Sequence, residues 1–335
     1  MERLAKNHTV IYVKQMNFGA AGIYKDVNYH FIDSGSKQFL SVWKQNRYVS
    51  KLKPDIIIIQ GLHNPLELLQ LGLLLNKRVK VIAHHHAEKP FAGVKKYLQR
   101  TAGYFIDAYL FASKSIGLEW VGLGNISSPN KIYEVMEVSS VFYPLNNNVS
   151  KQKTGVSGQP VFLWVGRLNE NKDPLMVVAA FLRYRRYKSS AKLYMVFHTD
   201  ELLQPLKQLL AASEYAASVV LVGKLPHADL LYWFNSADFF LSGSHYEGSG
   251  TALCEAMSCG CVPVVTDIPS FRMITDNGRC GVLYPPGNEA ALLAALLQTD
   301  EMALETYEQR VLCYFHSNLS FDAIAERIAQ IATSL

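Results

Sequence analysis

The sequence predicts an α/β chain made of two Rossmann-like, doubly wound domains. Three observations carry that expectation. Short β-branched runs alternate with longer amphipathic ones along the chain, the mark of parallel βα units. Ile56-Ile57-Ile58-Ile59 is an unbroken apolar run, as expected of a strand buried on both faces. Near the middle, Leu145–Gln159 loses all periodicity and collects Asn146-Asn147-Asn148, Gly155, Ser157 and Gly158. A chain of 335 residues is in any case longer than one core usually organises.

In order, Met1–Asn7 reads as the last turns of a helix feeding a strand at Thr9–Val13. Strands are then expected at Asp55–Gln60, Val79–His84, Ala108–Phe111 and Lys131–Met136, separated by helices at Gln38–Leu52, Pro65–Asn76, Phe91–Gly103 and Ser115–Gly122. After the aperiodic stretch the rhythm restarts. Strands are expected at Val161–Val165, Lys192–Phe197, Val219–Val222, Phe239–Ser242, Val262–Thr266 and Gly281–Tyr284. Helices at Asp173–Tyr187, Glu201–Ala211, Ala228–Ser236 and Thr251–Cys259 alternate with them, and Ala290–Leu335 is helix-rich. This divides the chain into a first domain over 1–145, a linker over 146–159 and a second domain over 160–314. A C-terminal helix over 315–335 is expected to pack back on the first domain.

Composition excludes several classes. Hydrophobic residues at 49% and charged residues at 18% rule out disordered and fibrous chains. The longest apolar stretch, Ile56–Leu75, is interrupted by His63, Asn64, Pro65 and Glu67, too broken for a membrane span. Met1–Lys6 is polar and Val10–Val13 is short, which does not make a secretory signal. The five cysteines (Cys254, Cys259, Cys261, Cys280, Cys313) have no C-x-x-C pairing and read as reduced thiols in a cytoplasmic protein, with Cys254, Cys259 and Cys261 as small core fillers. The net charge of +5 is uneven: residues 1–150 hold 18 Lys/Arg against 10 Asp/Glu, the remainder 15 against 18. A basic first half suits an anionic partner, and Lys95, Lys96 and Arg100 on one expected helix suit an anionic membrane surface. Nucleic acid is not expected, because no basic stripe interleaved with aromatics occurs.

Two segments carry chemistry. The first runs from His245 through Glu247-Gly248-Ser249-Gly250-Thr251 and Glu255 to Gly260 and Pro263. It follows an expected strand, turns on two glycines and enters a helix, which offers backbone N–H groups and the positive end of the helix dipole to an anion. His245 and Tyr246 read as loop-lining. The second segment is Gly166-Arg167-Leu168-Asn-Glu-Asn-Lys172-Asp173-Pro174. Here a strand end delivers Arg167, and Lys172 precedes a helix start marked by Asp as N-cap and Pro at the first position. A guanidinium fork and an ammonium at one strand end can neutralise a diphosphate. No G-x-G-x-x-G opens either half, which argues against a nicotinamide enzyme.

The second half resembles the donor-nucleotide domain of the retaining glycosyltransferases of family 4, which have the GT-B fold: two Rossmann-like domains facing across a cleft. Gly166-Arg167-Leu168…Lys172 matches their phosphate clamp, and Glu247…Glu255-Ala256-Met257 with Gly260 and Pro263 matches their E-x7-E signature. Over Val161–Leu335 the likeness is good; in the first half it is looser. The resemblance implies transfer of a hexosyl-type unit, with retention, from a nucleoside-diphosphate sugar to a polysaccharide, glycolipid or other carbohydrate or lipid-linked acceptor. It implies that Arg167 and Lys172 hold the pyrophosphate near Gly166 and the Gly248, Ser249, Gly250, Thr251 turn. It gives Glu255 the ribose hydroxyls and Glu247 the transferred sugar, and it brings backbone groups at Gly223, Lys224 and Leu225 to the base. A histidine at the end of the Val79–His84 strand would line the sugar site, His86 first and His84 second. No metal or other cofactor is expected, since two cations already serve the diphosphate.

Departures are visible too. Ser249 stands where the family is commonly aromatic, Gly243 where Pro is frequent, and Glu137-Val-Ser-Ser-Val141 replaces the usual Asn-Gly-Val-Asp. The family's opening strand, glycine-rich loop and helix have no counterpart, so a shortened amino end is expected. That keeps a second reading open, a non-catalytic nucleotide-sugar binder. A GT-B epimerase is less favoured by the clamp and the glutamate spacing.

Overall fold

The computed structural model describes residues 1–33, 38–76, 78–86 and 88–335, with side chains of 38–41 left aside. The chain divides into two compact units, Met1–Glu137 with Phe321–Leu335, and Val138–Ser320.

The second unit is a six-stranded, all-parallel sheet. Its strands are β8 (Val161–Gly166), β9 (Lys192–Phe197), β10 (Val219–Gly223), β11 (Phe239–Ser242), β12 (Val262–Thr266) and β13 (Val282–Tyr284). Their order across the sheet is β10-β9-β8-β11-β12-β13. This is the doubly wound order, in which winding reverses between β8 and β11; a crevice forms there, beyond the carboxyl ends of the strands. All six fall where the sequence places them, because Val161–Trp164, Leu193–Val196, Phe239–Ser242 and Val262–Thr266 are buried on both faces and so read as continuous apolar runs. The stretch read as a linker contains a helix, Asn147–Thr154, capped by the Asn146 side chain and ended by Gly155 in the left-handed region (φ 70°). The unit reaches back to Val138 because Asn235 anchors that segment: its Oδ1 accepts from Leu145 N (2.6 Å) and its Nδ2 donates to Tyr143 O (3.1 Å).

Among the described residues the first unit holds two sheets. Four parallel strands, β4 (Ile56–Gln60), β5 (Lys80–His84), β6 (Ala108–Phe111) and β7 (Ile132–Glu134), lie in sequence order. One side of the core gathers Leu62, Phe111 and Trp120; the other gathers Ile82, Leu110, Val135 and Ile331, the last from the C-terminal helix Phe321–Ser334. Two expectations need correction here. Among the described residues the isoleucine run of β4 pairs only with β5, at the sheet edge, and with Ile56 40% exposed and the next three half-buried it is not buried on both faces. The region after the first strand, where no element is expected, forms a hairpin: β2 (Ala20–Tyr24) runs antiparallel to β3 (Val27–Asp33), which pairs in parallel with β1 (Val10–Met16). Its turn, Lys25-Asp26, has both residues at positive φ (48° and 63°), the geometry of a two-residue hairpin loop. Lys-Asp is a weak sequence signal for such a turn, and β2 is exposed throughout, so no hydrophobic alternation marks it.

Candidate functional site

At the carboxyl ends of β8 to β11 the second unit encloses a cavity of about 410 Å³. Two loops build it. The first leaves β8 at Gly166, passes Arg167 and turns so that the Asn169 side chain accepts from Lys172 N (3.2 Å). Asp173 then caps the helix Pro174–Tyr184 from the left-handed region (φ 43°). The second loop leaves β11 at Ser242 and enters the helix Thr251–Ser258 through Gly250 (φ 61°), where a Cβ would come within 2.7 Å of Ile274.

The loops are stitched together by Asn171. Its Nδ2 donates to Tyr246 O (3.0 Å), its Oδ1 accepts from Tyr246 N (3.1 Å), and its own carbonyl accepts from His245 N (2.8 Å). His245 meets Asp173 across the same seam (3.0 Å). Gly243 lets this seam close, since a Cβ there would lie 2.7 Å from Val177 and 3.2 Å from the Lys172 carbonyl. Any residue with a Cβ would press the loops apart.

Inside, Lys172 Nζ donates to Glu247 Oε1, and Ser244 Oγ donates to the same oxygen at 2.7 Å. Ser244 is itself fixed, its carbonyl accepting from Thr266 Oγ1 (2.6 Å). Glu255 is buried in the helix Thr251–Ser258 and takes a hydrogen bond from His227 at 2.6 Å. Burial pushes its carboxyl above the ordinary range, and His227 works against that rise. The cavity thus presents cations from Arg167, Lys172 and Lys224, the amino end of a helix, and two carboxylates each held by a named donor. Such a set can bind an extended anion and, beside it, groups rich in hydroxyls.

Arg167, Lys172, Gly166, Glu247, Gly248, Ser249, Gly250, Thr251, Lys224, Leu225 and Glu255 all line this one cavity. Gly223 ends β10 immediately before it, with φ 82°. His86 belongs to the first unit and is not among the lining residues. There its Nδ1 meets Glu137 (2.5 Å), its Nε2 meets Gln60 (2.7 Å), and its ring lies 4.8 Å from that of His84. The Glu137 hydrogen bond holds His86 above the usual histidine range, whereas burial pushes His84 down to about 4. Sequence reasoning missed Asn171, Ser244 and His227. Asn171 lies inside the Gly166–Lys172 segment, but its partner Tyr246 is 75 residues away, and His227 lies 28 residues from the carboxylate it touches.

Residues 146–310 match the family model described as glycosyl transferases group 1. Among curated proteins, the alpha-monoglucosyldiacylglycerol synthase of Streptococcus pneumoniae is 24% identical over 164 residues, which is 48% of this chain and 37% of that protein. The chain therefore spans well under half the length of this relative. Two solved structures are similar over nearly the whole chain. The sucrose-phosphate synthase of Thermosynechococcus elongatus aligns at 17% identity and a TM-score of 0.72, covering 99% of this chain and 90% of that one. The Anabaena protein HepE in complex with UDP aligns at 16% identity and 0.69, covering 92% and 86%. The fold class is the GT-B class. Among the described residues no helix is long and apolar enough to cross a membrane.

Proposed function

We propose that this chain, with a group 1 glycosyl transferase domain as its second unit, is a glycosyltransferase that takes its sugar from a nucleoside-diphosphate donor. One observation carries the reading: Arg167, Lys172 and the amino end of the helix Thr251–Ser258 border a single cavity at the switch point of the sheet. A similar chain that binds UDP supports it.

The roles follow from charge. As the sugar–phosphate bond breaks, negative charge grows on the leaving diphosphate. A guanidinium, an ammonium and helix N–H groups bordering the cavity stabilise that charge. Lys172 also holds Glu247, which Ser244 steers from the other side, so the carboxylate that orients the sugar is tied to the cation that holds the phosphate. Glu255 takes the ribose hydroxyls. Transfer of a hexosyl-type unit with retention of configuration completes the reading. Because two protein cations serve the diphosphate, turnover requires no divalent metal, and activity is expected to survive EDTA.

The acceptor is a carbohydrate or a lipid-linked carbohydrate, met at the inner face of a membrane. The helix Gly93–Ala102 supports this placement: Lys95, Lys96 and Arg100 share it with Val94 and Tyr97, which are 75% and 65% exposed. Anionic headgroups would meet the cations while the two apolar side chains enter the interface.

The test is to incubate the protein with UDP- and GDP-sugars, with and without acceptor, and follow free nucleoside diphosphate and sugar product. Diphosphate release coupled to sugar on acceptor is the expected result. Nucleotide binding with no release under any acceptor supports the non-catalytic reading, and a sugar altered on its nucleotide supports epimerisation.

A further inference from the structure

Among the described residues the Glu255 carboxylate takes a side-chain hydrogen bond from His227, and that partner is built in rather than incidental. His227 follows Pro226 and opens a single 3-10 turn, His227–Asp229. Its ring lies flat on Phe142, with centroids 5.0 Å apart and planes 29° from parallel. Phe142 is buried, rests on Phe234 (6.1 Å), and belongs to a segment pinned to the Glu255 helix by Ser258 Oγ donating to Ser140 Oγ (2.9 Å). The imidazole therefore has a fixed plane behind it, and its Nε2 reaches Glu255 Oε1 at 2.6 Å, a charge-assisted distance. Either the neutral Nε2–H tautomer or the imidazolium makes this bond.

Resting on the nucleotide-sugar reading above, we propose that His227 is a positioning residue for the nucleotide ribose, holding the Glu255 carboxylate in place as the acceptor for the ribose hydroxyls. The physical need is plain. Glu255 is 6% exposed, and a carboxyl so buried tends to keep its proton; a protonated carboxyl offers one acceptor fewer to a diol that needs two. The N–H from His227 occupies one lone pair of Oε1 and favours the anion, leaving the rest of the carboxylate for the ribose. The other charged and titratable groups on this cavity are Arg167, Lys172, His198, Lys224 and Glu247. The thiols of Cys254 and Cys259, which sit against Glu255, are pushed upward by burial and stay protonated, so they do not compete for the role.

The experiment measures dissociation constants of UDP, GDP and inorganic pyrophosphate by calorimetry between pH 5 and 8, for the wild type, His227→Ala, His227→Gln and Glu255→Gln. The wild type is expected to bind at least one nucleoside diphosphate, with affinity falling on the acid side as Glu255 gains a proton. His227→Ala is expected to weaken that binding about tenfold at pH 7 and to move the acid limb to higher pH, with pyrophosphate affinity unchanged. His227→Gln, which keeps an N–H donor, is expected to fall between. The His227 side chain is 64% exposed, so its removal leaves the core intact, and pyrophosphate binding reports a preserved cavity in each variant. Tighter nucleotide binding by His227→Ala, an unmoved acid limb, or equal loss of pyrophosphate overturns the proposal. If neither UDP nor GDP binds the wild type, the donor reading itself fails and takes this one with it. If Glu255→Gln binds like the wild type, the ribose assignment fails while the diphosphate clamp stands.

Discussion

At the scale of single residues, the cavity is organised by pairs in which one member is fixed by a third group. Lys172 illustrates it. Removing its ammonium deprives the diphosphate of a cation and leaves Glu247 with Ser244 alone. A charge-assisted hydrogen bond is worth about 1.5–3 kcal/mol, so Lys172→Ala is expected to weaken UDP or GDP binding roughly ten- to a hundredfold. Glu247→Ala, at the carboxylate proposed to orient the sugar rather than the phosphate, is expected to lower kcat far more than donor affinity; a pure KM effect would contradict that role. His84 gives a different kind of expectation. Its folded value of about 4 lies below the ordinary 6.5, so the unfolded chain takes up the proton first as pH falls. The stability it supplies is complete above pH 6.5 and disappears toward pH 4, by about 3 kcal/mol if the full difference is felt. His86, raised by Glu137, acts in the opposite sense, its contribution being present at low pH and lost as pH climbs through its folded value. Urea unfolding at pH 7 and pH 5 should show His84→Gln losing less stability on acidification than the wild type; equal losses would refute the assignment.

At the scale of elements, what was legible in the sequence follows burial. β8, β9, β11 and β12 are central strands with both faces covered, and each announces itself as a β-branched or aromatic run. The same signal misleads at β4, where four isoleucines sit on an edge, because periodicity reports apolarity and not the number of neighbouring strands. It is silent at β2, whose five residues are all exposed. The site shows the same split. Arg167, Lys172, Glu247 and Glu255, singled out by local turns, a helix start and the family resemblance, come together on one cavity, whereas Asn171, Ser244 and His227 act through partners distant in sequence that no local pattern announces. Gly243 is read correctly only in three dimensions: the position needs a missing side chain, and Gly243→Ala should force the two loops apart and reduce nucleotide affinity with little change in the melting of the first unit. The helix Gly93–Ala102 carries its own test. If its cations meet anionic lipid, sedimentation with phosphatidylglycerol vesicles should exceed that with phosphatidylcholine and weaken with salt, and reversing Lys95, Lys96 and Arg100 to Glu should abolish it. Equal binding to both vesicles would remove this face from consideration.

At the scale of the whole molecule, the chain passes from the first unit to the second after Glu137 and returns after Ser320, through a single π-helical turn at Phe315–Leu319. The returning helix, Phe321–Ser334, is structural for the first unit. Ile331, 2% exposed, packs with Ile82, Leu110 and Val135, and Ile324 and Ile328 lie against the same cluster. Each unit has its own core, and among the described residues the cavity beside Arg167 and Lys172 is lined by residues of the second unit. Two perturbations should then act on different parts of one calorimetric trace. Ile331→Ala empties a core position in the first unit and is expected to destabilise it by about 2–5 kcal/mol. On the proposed function, a saturating nucleoside diphosphate is expected to bind only the folded second unit and to raise its stability by mass action, about 2.7 kcal/mol at a hundredfold excess over Kd. If the units unfold separately, the substitution lowers one transition and the nucleotide raises the other, with neither crossing over. A single transition displaced by both would mean that the two cores melt as one cooperative body, and that donor binding in the second unit is felt energetically at the β4–β7 sheet of the first.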